Sequence, residues 1–109
     1  MSKQLRISHN GKTYTLEYTR KSVEILERQG FTLDDLTQRP ATAIPMLFRG
    51  AFLANHSSVK RDVIDEIYEK LPNKAELIQK LAEMYYEPIN VLFEESDGAE
   101  GNATWEASW

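Results

Sequence analysis

HNGKTYTLEYTRKSVEILERQG, residues His9 to Gly30, changes its hydrophobic period half-way along. Asn10-Gly11 is the preferred filling of a two-residue type I′ turn, because both central positions need positive φ. With that turn in place, Ile7 falls opposite Tyr14 and Leu5 opposite Leu16. A side-chain period of two then puts all four on one face of a β-hairpin. Arg6, Ser8, Thr13, Thr15 and Glu17 take the other face. From Tyr18 the period becomes helical. Thr19 is the expected N-cap of a helix over Arg20 to Gln29, and Gly30 suits the left-handed C′ position. Tyr18 and Val23 have the N′-to-N4 spacing of a hydrophobic staple. Val23, Leu26 and Ile25 form the expected buried stripe, and this helix is the expected cover for the hairpin's apolar face.

Downstream the chain reads as helices. Phe31–Arg39 is a connector with one helical turn around Leu33 and Leu36, capped by Thr32 and closed by Pro40. A helix over Ala43–Asn55 follows, with Thr42 as N-cap so that Pro45 falls in the first turn, where its missing N–H costs nothing. Ile44, Leu47, Phe48, Ala51, Phe52 and Asn55 recur at i, i+3, i+4, i+7, which places this helix at the centre of the core. Ser57 or Ser58 caps the next helix, Val59–Leu71, whose expected stripe is Val63, Ile67 and Leu71. Pro72 stops it. Asn73 and Glu76 have capping-box spacing at the start of the last helix. Its stripe is Leu77, Ile78, Leu81, Tyr85, Ile89 and Leu92, with Pro88 marking a kink or a restart near Glu87.

The expected class is therefore α+β and mostly helical: an N-terminal β-hairpin, four or so helices, and a disordered acidic C-terminal tail. Residues 1–93 make one globular domain and 94–109 a flexible tail. A length of 109 residues fits one domain. Of the net charge of −4, the tail supplies −5 through Glu94, Glu95, Asp97, Glu100 and Glu106, leaving the body at +1. A nearly neutral body with no basic stripe argues against nucleic-acid binding. There is no run of about 18 apolar residues, the start lacks the apolar core of a signal peptide, and cysteine is absent. These features point to an intracellular protein without membrane attachment.

Catalytic signals are missing. His9 and His56 are the only histidines, and neither has a second ligand at i+4. Asp34-Asp35 and Asp65-Glu66 are sequence neighbours, which diverge on a helix. No phosphate loop and no nucleophile elbow occur. The expectation is a protein that is not an enzyme, with no cofactor and no metal. A helix-turn-helix reading of the last two helices is weakened by Glu76, Glu83 and Glu87 on the second of them. Trp105 and Trp109 are unusual in an acidic tail. They either anchor in a partner's groove or pack back on the body.

The stretches LRISHNGKTYTLEYTRKSVEILERQGF, AIPMLFRGAFLANH and VIDEIYEKLPNKAELIQKLAEMYYEPINVL together resemble the tail assembly chaperones of long-tailed (siphovirus-type) bacteriophages and prophages. The resemblance covers nearly all of Leu5 to Leu92 in element order and apolar spacing. It implies a non-catalytic protein of the host cytoplasm that binds the tape measure protein and keeps it soluble while the tail tube forms. It also implies a longer form, made by ribosomal frameshifting near the acidic end, that recruits the tail tube protein. The expected partner-binding residues lie off the main stripes: Met46, Leu53, Met84, Tyr86 and Phe93, joined by Trp105 and Trp109. A homo-oligomer is expected as well. The alternative is a small phage regulator that binds DNA or a host protein.

Overall fold

The computed structural model describes residues 3–94 and 103–109. Strands β1 (Leu5–His9) and β2 (Lys12–Leu16) form an antiparallel hairpin, with Ile7 paired to Tyr14 and Leu5 to Leu16 as the turn predicts. Asn10 and Gly11 take φ of 51° and 78°, the left-handed values that a type I′ turn requires. Helix α1 (Arg20–Arg28) starts at Thr19. The Thr19 hydroxyl accepts from Ser22 N–H, while the Ser22 hydroxyl accepts from Thr19 N–H, a complete capping box. The helix ends in a Schellman motif: Phe31 N–H donates to Leu26 O and Gly30 N–H to Glu27 O, with Gly30 at φ 89°. Tyr18 and Val23, the staple pair, are both buried.

Helix α2 (Asp35–Gln38) is a single turn, with the Asp35 carboxylate accepting from Thr32 N–H. Helix α3 (Pro40–Gly50) begins earlier than expected. Pro40 does not close the connector; it occupies the first helical position, where a proline lacks nothing the helix needs. Pro45 consequently lies in the helix interior, and Ala41 O has no i+4 N–H to accept from. The expected extension to Asn55 is instead a series of tight turns, with Phe52 N–H donating to Arg49 O and Leu53 N–H to Gly50 O.

Helix α4 (Arg61–Lys70) starts later than predicted. Ser57 and Ser58 do not cap it; they sit in a turn closed by Val59 N–H to His56 O, and no side chain caps Lys60. The helix is also rotated relative to the expected stripe. Ile64 and Ile67 are buried and Tyr68 and Leu71 pack beside them, which is i, i+3, i+4, i+7 spacing, so Val63 turns outward. Helix α5 (Lys74–Val91) runs unbroken past Pro88. Asn73 precedes it at φ 53° without making the expected capping box. Lys74 Nζ instead closes the end of α4, donating to Leu71 O at 2.7 Å and Glu69 O at 3.1 Å.

The most apolar helix is central, as the sequence implied: α3 packs against α1, α2, α4 and α5. At Gly50 the approach to α1 is close enough that a Cβ would stand 2.5 Å from Leu26 Cδ1. The hairpin's cover is not chiefly α1, which packs on α3 and α5. It is the segment following α3. Phe52 and His56 stack against Tyr14 at ring separations of 5.7 and 5.2 Å.

The same segment also closes the free edge of β2. In an antiparallel pair, alternate residues point their N–H and C=O outward. For β2 these are Thr13, Thr15 and, just beyond the strand, Glu17, and the segment pairs with the last two. Thr15 N–H donates to His56 Nε2 at 3.0 Å, Asn55 Nδ2 donates to Thr15 O at 3.2 Å, and Glu17 N–H donates to Ala51 O at 3.2 Å. An edge so covered offers little to a foreign strand. Because Nε2 accepts, the imidazole carries its proton on Nδ1. His56→Ala removes the acceptor and part of the aromatic cover, with an expected loss of about 1–3 kcal/mol. Urea unfolding measures that loss. His56→Gln, which can still present an acceptor, is expected to restore part of it.

Candidate functional site

The sequence-derived partner residues separate into four places. Met84 is not available to a partner: it lies on α5 between Leu81 and Tyr85 and is 4% exposed. Its spacing of i+3 from Leu81 puts it on the buried face, which the stripe drawn through Tyr85 and Ile89 overlooked. Met46 and Leu53 meet in one cleft. Tyr86 and Phe93 flank a different surface. Trp105 and Trp109 stand clear of the body.

The cleft lies between the end of α1, the outer side of α3 and the start of α4. It has a volume of about 650 Å³, within the range of ligand-binding pockets. Leu26, Pro45, Met46, Leu53 and Ile64 give it an apolar floor, and Arg49 and Arg61 stand on its rim. Arg49 grips Asp65 on α4 with two bonds, Nε to Oδ1 at 2.9 Å and Nη2 to Oδ2 at 2.8 Å. Those bonds hold the Asp65 carboxyl below the usual carboxylate range against slight desolvation, and the charge of Arg61 adds to the effect. This bidentate pair fixes the angle between α3 and α4, and hence the mouth of the cleft.

The second surface runs along the last turns of α5 where they cross α1. Tyr86 is 51% exposed, Leu92 54% and Phe93 82%. Half-buried Ile89 lies between two shallow grooves of about 380 and 330 Å³. Val23 and Pro88 floor the first groove; Phe31 and Leu33 floor the second. Charged side chains (Arg20, Glu24 and Glu27) line the α1 side. Ile89 packs half-buried against the core, as its place in the stripe implies, whereas Leu92 is exposed.

The acidic tail is placed outside the described residues over 95–102. Residues 103–109 form neither helix nor strand, with Trp105 86% exposed and Trp109 fully exposed. In this structure the two indoles do not pack on the body. His9, expected near the hairpin turn, donates from Nε2 to Glu66 on α4 at 3.3 Å and ties the hairpin tip to the helices. Among the described residues, no three His, Asp or Glu side chains converge as metal ligands, and no helix is long and apolar enough to cross a membrane.

A family profile described as a domain of unknown function, DUF5055, matches residues 1–109. The chain belongs to the DUF5055 family. No curated protein and no solved structure matches it. The hairpin, the five helices and both surfaces all lie within the span of the DUF5055 match.

Proposed function

We propose that this chain is a phage tail assembly chaperone: it binds the tape measure protein, holds it soluble in the host cytoplasm while the tail tube assembles, and performs no catalysis. The observation that carries this reading is the exposed apolar strip of Tyr86, Ile89, Leu92 and Phe93 across the end of α5. Large apolar side chains grouped on a surface favour contact with another polypeptide. The strip is long and shallow, with charged residues on one border, which suits the apolar face of an amphipathic helix laid in a groove. A tape measure protein offers many such segments. The resemblance in element order and apolar spacing supplies the rest. In this reading a longer, frameshifted form brings the tail tube protein to the same client.

Co-expression with a tape measure protein tests it. The wild-type chain is expected to keep the client in the soluble fraction and to co-purify with it. Tyr86→Glu combined with Phe93→Glu places charge where the client's apolar face would lie. At two exposed positions this is expected to leave the circular dichroism unchanged and to reduce recovered complex by at least about tenfold. A client that stays insoluble beside the wild-type chain, or a double variant that binds as well as the wild type, would overturn the proposal.

A further inference from the structure

The cleft between α1, α3 and α4 shares no lining residue with the strip. We propose that it receives the Trp105–Trp109 segment of a second copy of this chain. Three features of the cleft match that segment.

The first is apolar area. Met46 and Leu53 are half-buried at its floor, beside Pro45 and Ile64. Methionine adapts its shape to a large planar side chain. Trp105 and Trp109 are the two most exposed large apolar residues among those described, so the single chain leaves unburied the side chains with most to gain from burial.

The second is a hydrogen-bond acceptor. A buried indole needs a partner for its N–H. Pro45 deprives Ala41 O of its i+4 donor, and Ala41 and Pro45 both line the cleft. That carbonyl is the acceptor the proposal assigns to an indole N–H.

The third is charge. Arg49 and Arg61 line the cleft; Arg49 is already held by Asp65 and Asp62 lies in the first turn of α4, so Arg61 is the cation that the tail's carboxylates would meet. Glu106 is adjacent to Trp105, and the whole stretch 94–109 carries five carboxylates and no Lys or Arg. The start of α4, beside Arg61, has no capping side chain to compete for its N–H groups. A basic rim over an apolar floor is the complement of an acidic segment with two indoles.

Each copy then supplies one tail and one cleft. Such a contact can be reciprocal within a dimer, or it can run from copy to copy around a ring.

The chain contains two tryptophans, both in this segment, so indole emission reads the tail alone. In full-length protein, emission is expected to move to shorter wavelength as concentration rises, in step with a mass above one chain by light scattering. Met46→Glu with Arg61→Glu is expected to weaken association at least about tenfold. Trp109→Ala is expected to do the same and cannot disturb the body, since its side chain touches nothing there. Glu106→Lys is expected to recover association in an Arg61→Glu background. A monomer with solvent-exposed emission at every concentration would overturn the proposal. So would a blue shift independent of concentration, which places the tail in its own chain's cleft, or an oligomer that forms without any change in emission. Client binding is read separately, through the Tyr86 and Phe93 variants, so either proposal can fail alone.

Discussion

Phe52→Ala is expected to lower unfolding free energy by about 3–5 kcal/mol, roughly a third or more of what a domain of this size possesses. Phe52 is buried and its ring lies 5.7 Å from Tyr14 and 5.3 Å from Phe48. Truncating it leaves a cavity between the hairpin and α3. The tilted contacts with both rings are lost, each worth about 0.5–1.5 kcal/mol beyond area alone. The consequence reaches further than a cavity. Ala51, Asn55 and His56, which hold the outer edge of β2, belong to the same turn as Phe52. A hairpin alone is marginal in water, so loosening that turn releases the strands before the helices. Urea unfolding measures the total. Amide exchange locates the loss, with the Thr15 and Glu17 amides expected to lose protection before those of α3 and α5. A Tyr14→Ala, Phe52→Ala double-mutant cycle should show strong coupling, because the two side chains share one contact. A loss below about 1 kcal/mol would mean that other residues carry the hairpin.

What could be read from the sequence was whatever depends on near neighbours. Asn10-Gly11 specified the turn and with it every strand pair. Thr19, Tyr18, Val23 and Gly30 specified both ends of α1. These signals act within about six residues and have few alternatives. The errors fall where a tertiary contact outweighed a local preference. Ser57 and Ser58 are good capping residues, yet the chain there must return from the β2 edge, so they form a turn and α4 begins at Arg61. Pro40 reads equally well as a helix stop or as a first helical residue; packing of α3 against four neighbours decided for the second. The rotation of α4 by one residue could not be seen, because Val63 and Ile64 are both apolar and either could have led the stripe.

The surfaces were less legible than the core. Periodicity marks which residues are apolar but not which apolar residues find a cover. Met84 and Met46 look alike in sequence; one is buried on α5 and the other borders a cleft. The role of His56 was hidden for the same reason. Its partner, Thr15 N–H, lies 41 positions away and becomes an unpaired donor only once the strand register is known.

A second large effect is expected in alkali. Burial pushes the Tyr85 hydroxyl up to about 12, with the charge of Glu27 adding to it. Tyr18 is raised well above its ordinary value, first by burial and then by Tyr85, and its hydroxyl donates to Leu47 O at 2.5 Å. Their rings meet edge to face at 5.4 Å. A tyrosine is neutral when protonated, so a raised native pKa means that the fold holds protons which the unfolded chain has released. The stabilisation is complete below the unfolded value near 10 and is lost as pH rises through the native one. For Tyr85, the span from about 10 to about 12 corresponds to roughly 3 kcal/mol. Tyr18 extends the loss to higher pH. The thermal midpoint should therefore hold up to about pH 10 and then fall steeply. Tyr85→Phe should be close to wild type at neutral pH and should flatten the fall between 10 and 12. Tyr18→Phe should flatten it too, but from a lower start, since Leu47 O loses its donor at about 1 kcal/mol. If the Tyr85→Phe and wild-type curves run parallel through that window, the Tyr85 hydroxyl is in water, and α5 does not seal against Tyr18 and Phe31.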